Sequence, residues 1–159
     1  MSGFEEFYWD DFQGGRFPIA RPRDERFLNL GLLLTSDIQR HGAEALEVLQ
    51  LVELAREGKD DIPEWGGNAT FTCFRPDGVE ITDLSLDPRT QHYSLDEVHD
   101  SLIQYWDFLC PTIEERRRSL QEWAEFYTRE HPEVTDPLHP CMAHLPLATS
   151  ALPYTPRPR

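Results

Sequence analysis

The chain predicts an α+β fold, with helices packed on one face of a small antiparallel sheet that includes a hairpin over residues 68–86. Three observations carry this. Asn68 to Arg75 and Val79 to Leu86 alternate β-branched and aromatic residues with polar ones around Pro76, Asp77 and Gly78, the pattern of two half-buried strands joined by a turn. Ser94 and Glu97 then form a capping box, with Tyr93 and Val98 placed as a hydrophobic staple, so a helix opens there. Upstream, Ala43 to Glu57 leaves few polar positions, as a helix at the centre of a core does.

From the N-terminus, residues 1–23 read as an arm and linker, 24–131 as a single α+β domain, and 132–159 as a Pro-rich irregular tail. In residues 1–15 the apolar positions Phe4, Phe7, Tyr8 and Phe12 suit helical spacing, while their aromatic content suits a strand; both assignments stay open. Residues 16–26 form a basic island, Arg16, Arg21, Arg23 and Arg26, that Pro18 and Pro22 keep extended. Asp24 is a suitable N-cap. Phe27, Leu30, Leu34 and Ile38 follow at helical spacing, but Gly31 costs a helix about 1 kcal/mol relative to Ala, so 27–34 is left as helix or strand. His41 and Gly42 mark a break, and Gly58 supplies a left-handed residue after the next helix.

In the hairpin, Ala69, Phe71 and Cys73 share one face, and Val79 and Ile81 share a face of the return strand. Gly78 takes the left-handed position after a type I turn. The opposite parity of Leu84 and Leu86 predicts a bulge near Thr82 and Asp83, or the end of regular pairing. The helix over 94–110 carries its apolar stripe on Leu95, Val98, Leu102, Trp106 and Leu109. Thr112 and Glu115 repeat the capping-box pattern and start a helix that runs to about Glu130. Its buried side is Ile113, Leu120, Trp123, Ala124 and Tyr127.

At 159 residues with 39% hydrophobic content, the chain is long enough for one domain with a real core. Its formal charge of −14, from 29 acidic and 15 basic residues, argues against nucleic acid, whose phosphates need a cationic footprint. It favours a basic partner. The most apolar stretch, Phe27 to Leu34, is far short of the about 20 residues that span a membrane. No basic n-region follows Met1. Cys73, Cys110 and Cys141 are odd in number and widely spaced, which fits a reducing, cytoplasmic setting.

Eight acids, Asp77, Glu80, Asp83, Asp87, Asp96, Glu97, Asp100 and Asp107, stand against Arg89 alone over residues 77–107, a formal −7. They are the candidate docking face for a cationic protein. Tyr93 is placed with them, and Trp65, Tyr93 and Tyr105 are candidate aromatic anchors. His139, Cys141 and His144, completed by His131 or Cys110, are residue types that suit zinc, but H-x-C-x-x-H matches no familiar zinc module. No cofactor is expected. Cys73 reads as a core-facing strand residue. Cys110 sits at a helix C-terminus, where the dipole disfavours a thiolate. The sequence holds no G-x-x-x-x-G-K-[ST], G-x-G-x-x-G or H-E-x-x-H motif.

The order of these elements carries a resemblance. An apolar helix ending at Gly58 leads through Trp65 and Asn68 to the hairpin; Pro76 to Ile81 then leads to Tyr93, Val98 and Trp106 to Leu109. Over about residues 43–110 this resembles small bacterial immunity proteins of contact-dependent-inhibition and other polymorphic-toxin systems. The resemblance implies a non-enzymatic cytoplasmic protein that neutralises one cognate toxin domain, and it carries over no catalytic residues; the acidic charge makes that toxin a basic one, a nuclease above all, held by covering its active site or substrate groove. The rival readings are a small metal-dependent enzyme or zinc-binding protein using residues 131–144, and a regulatory or structural interaction subunit. The sequence does not fix an oligomeric state.

Overall fold

A computed structural model describes residues 1–132. It is an α+β fold with two antiparallel sheets and four helices: β1 (Phe4–Phe12), β2 (Gly15–Pro22), α1 (Leu28–Leu32), α2 (Gly42–Arg56), β3 (Trp65–Gly66), β4 (Thr70–Arg75), β5 (Gly78–Asp83), β6 (Thr90–Tyr93), α3 (Leu95–Leu109) and α4 (Ile113–Glu130). Strands β3 to β6 form a meander in sequence order, and β1 and β2 form a separate two-stranded ribbon. Expectations for residues 133–159, including the irregular tail and the His139, Cys141 and His144 group, lie outside the described residues.

The first correction concerns the N-terminus. Residues 1–23 are not an arm and linker. Gln13 and Gly14, at φ of 50° and 77°, make the two-residue turn with positive φ that matches strand twist. Around it β1 pairs with β2 from Phe12 and Gly15 outward. Residues 4–12 are therefore strand, and the basic stretch after Gly15 is extended because it is paired. Phe4 and Phe7 enter the core. Phe4 and Phe7 rings lie 4.9 Å apart, and Phe7 meets Tyr105 edge-on at 4.9 Å.

Asp24 caps the next turn by accepting from the Arg26 N–H at 2.7 Å. The chain then runs as α1 and continues through wider turns over Leu33–Ile38 until Gln39 reverses it at φ of 58°. Residues 27–34 are thus helical despite Gly31. Asn29 donates to the Ile81 and Arg89 carbonyls, both at 2.8 Å, and the Tyr93 hydroxyl donates to the Arg26 carbonyl at 2.7 Å. The start of α1 is therefore stitched to β5 and β6.

Nothing in α2 is more central than its apolar surround. Leu46, Val48 and Val52 are fully buried. The helix ends as expected: Gly58, at φ of 85°, donates to Ala55 and Lys59 donates to Leu54, the two bonds of a Schellman motif. Both capping boxes form, Ser94 with Glu97 and Thr112 with Glu115.

The hairpin turns as expected but with the other face inward. Phe74 pairs with Val79 and Thr72 with Ile81, and residues opposite each other share a face. Since Val79 and Ile81 are buried, Thr70, Thr72 and Phe74 are the core residues, while Phe71 is exposed and Cys73 only half-buried. Two threonines disguised the parity. Regular pairing ends at Asp83 without a bulge. Gly78 has a φ of 152°, within the positive range that favours glycine but well beyond the αL value of the predicted turn. A Cβ there would stand 2.8 Å from the Tyr93 carbonyl oxygen, so β6 passes too close for any other residue.

Thr70 is tolerated inside because Asp37, itself 8% exposed, receives it. The Asp37 carboxylate accepts from the Ala69 N–H at 2.8 Å, the Thr70 N–H at 2.9 Å and the Thr70 hydroxyl at 2.6 Å. This joins the end of the first helical segment to the sheet. Replacing Asp37 with Ala strands three donors, and at 1–3 kcal/mol for a buried orphan the expected loss is about 3 kcal/mol or more. Urea unfolding measures it; a loss under about 0.5 kcal/mol, the range of a neutral surface change, would refute the joint.

Candidate functional site

The predicted acidic face is assembled, yet most of it is engaged within the chain. Glu97 pairs with Arg26, Asp96 with Arg56 at 2.6 Å, Asp100 with the Met1 ammonium and Glu80 with Arg75 at 2.8 Å. A hydrogen bond from Arg26 holds the Glu97 carboxyl below its usual range. Burial pushes Asp100 upward, but hydrogen bonds from the N-terminal ammonium and His99 outweigh it and hold it low. Asp83 receives the Ser85 hydroxyl and the Ser85 and Arg89 N–H groups, closing its own loop; the Ser85 hydroxyl leads in lowering its pKa. Among the described residues, Asp77 and Asp87 are exposed and make no ion pair.

Two members of the predicted site are corrected. Tyr93 is 4% exposed, stacked 5.8 Å from Phe27, so it offers no surface to a partner. Tyr105, considered as an anchor, is wholly buried. Asp107 is 9% exposed and accepts from Arg116, 1% exposed, at 2.6 Å. Arg116 also donates to the Cys110 carbonyl at 2.8 Å, so it ties α4 to the end of α3. Breaking a buried pair leaves an uncompensated charge, worth about 3–5 kcal/mol. Arg116→Met should lose that much in chemical unfolding, while exposed Arg118→Ala stays within about 0.5 kcal/mol. Equal losses would refute a special role for Arg116.

The ribbon supplies what the acidic face does not. On β1, Phe7 and Trp9 turn inward, where Trp9 stacks on Phe108 at 4.8 Å. Tyr8, Asp10 and Phe12 alternate to the outer face, and Asp10 stands opposite Phe17 of β2. Tyr8, Phe12 and Phe17 are 39%, 61% and 46% exposed. Glu6 is paired with Arg21 at 2.8 Å, while no ion pair among the described residues holds Glu5, Asp10 or Asp11. Beside the ribbon lies a groove of about 560 Å³, lined on one side by Glu5 to Trp9 and on the other by Phe108, Leu109 and Glu115. Arg16 covers the Trp9 ring at 4.8 Å. Charge counting over 77–107 passed over these residues. Their signal was aromatic runs flanking Gln13, Gly14 and Gly15, a hairpin pattern.

The described thiols are unpaired: Cys73 is half-buried and Cys110 buried. Burial, then the nearby Glu64 carboxylate, pushes the Cys73 thiol up. Burial pushes Cys110 to about 11 from an ordinary 9.0, the direction expected at a helix C-terminus but caused by desolvation. A raised pKa means the folded state holds its proton longer, so stability is intact below about pH 9 and is lost toward pH 11. Between pH 8 and pH 10 the loss measured by urea unfolding should be roughly 1 kcal/mol larger in the parent than in Cys110→Ala; the remainder common to both comes from Cys73 and the buried tyrosines Tyr93 and Tyr105, whose pKa values are also raised. In native protein, thiol labelling at pH 8 should leave Cys110 unmodified; its ready labelling without unfolding would refute its burial. Among the described residues, no group of three or more His, Cys, Asp or Glu side chains is arranged to hold a metal, and no helix is long and apolar enough to cross a membrane.

No protein-family model, no curated protein and no solved structure matches this chain.

Proposed function

We propose that this chain is a non-catalytic receptor for a cationic protein, acting as an immunity-type inhibitor that covers the active site or substrate groove of a basic toxin, a nuclease above all. The observation that supports this is the outer face of the ribbon. Tyr8, Phe12 and Phe17 stand exposed there, interleaved with Asp10 and opposite strands fixed in register. Aromatic side chains on rigid strands make binding hot spots. Carboxylates beside them select a cationic counterpart and speed its approach. The formal charge of −14 adds long-range attraction, screened by salt. The unpaired thiols Cys73 and Cys110 suit the reducing cytoplasm in which such a toxin would be neutralised.

Asp77, in the turn before β5, and Asp87, in the loop after it, remain two further contact points at opposite ends of that strand. The paired acids Glu80, Asp96, Glu97 and Asp100 contribute mainly to the field, since each already has a partner.

Affinity capture from the native cells at low and moderate salt, followed by assay of what elutes, tests the reading. A basic protein should elute whose toxic activity is abolished by a stoichiometric amount of the chain. Asp10→Lys with Phe12→Ala should weaken capture about tenfold or more, the equivalent of 1.4 kcal/mol or more. Asp77→Lys with Asp87→Lys should have a smaller effect. A captured protein with no activity that the chain suppresses would overturn inhibition, and a captured acidic partner would overturn the charge argument.

A further inference from the structure

We infer that the outer edge of β1 is a strand-addition site that takes an extended cationic segment of the partner into the groove between β1 and α3. This rests on the reading of the chain as a receptor for a basic protein, and it assigns how that protein is held.

The argument begins with register. Phe12 and Gly15 close a two-residue turn, so they exchange both backbone hydrogen bonds, and every second residue of β1 does likewise. Phe12, Asp10, Tyr8 and Glu6 therefore bond to β2. The N–H and C=O groups of Asp11, Trp9 and Phe7 point the other way. Among the described residues strand β1 has no neighbour but β2, and no backbone partner meets those groups. Such an edge is a template for another strand.

The groove follows that edge. Five consecutive residues, Glu5 to Trp9, line it. Side chains on a strand alternate between faces, so consecutive residues line one cavity only where it runs along the backbone. The far wall presents Phe108 and Leu109 of α3 among the polar Gln104, Asp107 and Glu115, so it offers apolar surface to the inward-facing side chains of an added strand and carboxylates beside it. From Phe7 to Asp11 the edge spans about 14 Å, room for four or five residues.

The opposite edge of the ribbon is closed. The same register turns the backbone nitrogens of Pro18 and Pro22 of β2 away from β1, and proline has no N–H to offer. Strand β1 holds no proline.

Charge selects the occupant. Glu5, Asp10 and Asp11 have no ion pair among the described residues, and β1 carries no basic residue. A second copy of the chain would bring the same carboxylates against these, and like charges across strands repel. A segment with Arg or Lys on its outer face meets Asp10 with opposite charge, and a basic residue at either end of the segment lies near Glu5 or Asp11. The Trp9 ring already carries the Arg16 guanidinium over it, so a cation over this ring is accommodated.

A display library of random extended decapeptides, selected against the full chain, tests this with amide chemical shifts as the readout. Enriched peptides should be cationic with alternating apolar residues, and should shift the amides of Phe7, Trp9 and Asp11. N-methylation of alternate peptide residues should weaken binding about tenfold or more, and leaves the protein unchanged, so no folding defect can imitate it. Glu5→Lys should weaken binding as well, while Asp77→Lys should not. Cationic peptides that shift residues 77–97 instead, or that tolerate N-methylation, would overturn strand addition and leave the receptor reading standing. Enrichment of acidic or neutral peptides would overturn both. No enrichment would overturn the edge site, with cell capture deciding the receptor reading separately.

Discussion

Cations are the scarce material of this fold: 15 basic residues must serve 29 carboxylates. The arginines are set at joints between elements. Arg26, just before α1, grips Glu97 of α3; Arg56, at the end of α2, reaches Asp96 of α3; and Arg116 of α4 holds Asp107 at the end of α3. Three separate elements are thus clamped to one acidic helix. The first two pairs are partly exposed and each adds at most about 1 kcal/mol. The third is buried, and its geometry is enforced by the second bond from Arg116 to the Cys110 carbonyl. With these cations engaged along α3, Glu5, Asp10 and Asp11 of β1 make no ion pair among the described residues, and they lie beside exposed aromatic surface.

This distribution explains which parts of the molecule were legible in sequence. Capping boxes are local chemistry, so Ser94 with Glu97 and Thr112 with Glu115 gave the starts of α3 and α4 directly. The Schellman end at Gly58 is local too. The parity of β4 was not legible, because the core positions Thr70 and Thr72 are polar and the exposed Phe71 is apolar. What makes Thr70 a core residue is Asp37, 33 positions away, and no local pattern reports such a partner. The ribbon was half legible: its turn residues and aromatics were present, but Pro18 and Pro22 suggested a linker. Prolines do sit in strands when they face an unpaired edge, and that is how β2 places them.

The acidic surface was legible as charge but not as availability. A count over residues 77–107 sums charges without knowing which are neutralised nearby. Asp107 is counted with Asp77, although one is buried against Arg116 and the other stands in solvent at a turn. Tyr93 likewise belongs to the core because its hydroxyl has two backbone neighbours, the Arg26 carbonyl at 2.7 Å and the Leu30 N–H at 3.1 Å. Availability is a tertiary property, and it moves the weight of the site from the hairpin and α3 to the N-terminal ribbon.

A docking strand is useful only if it is already held in place, since ordering a loose arm on binding consumes affinity. The ribbon meets that condition from three sides. Its inner aromatics are locked in the chain of rings from Phe4 through Phe7 to Tyr105, and Trp9 lies on Phe108. Its base is fastened where the Gly3 N–H donates to Ser101 of α3 at 3.1 Å and Arg23 donates to the Gly3 carbonyl at 2.9 Å. Its turn has the backbone twist that two strands require. The same packing that removes Phe4 and Phe7 from water therefore sets the exposed edge of β1 at a fixed distance from α3. An incoming strand meets a groove of settled width, so the contacts it makes are not offset by ordering the receptor.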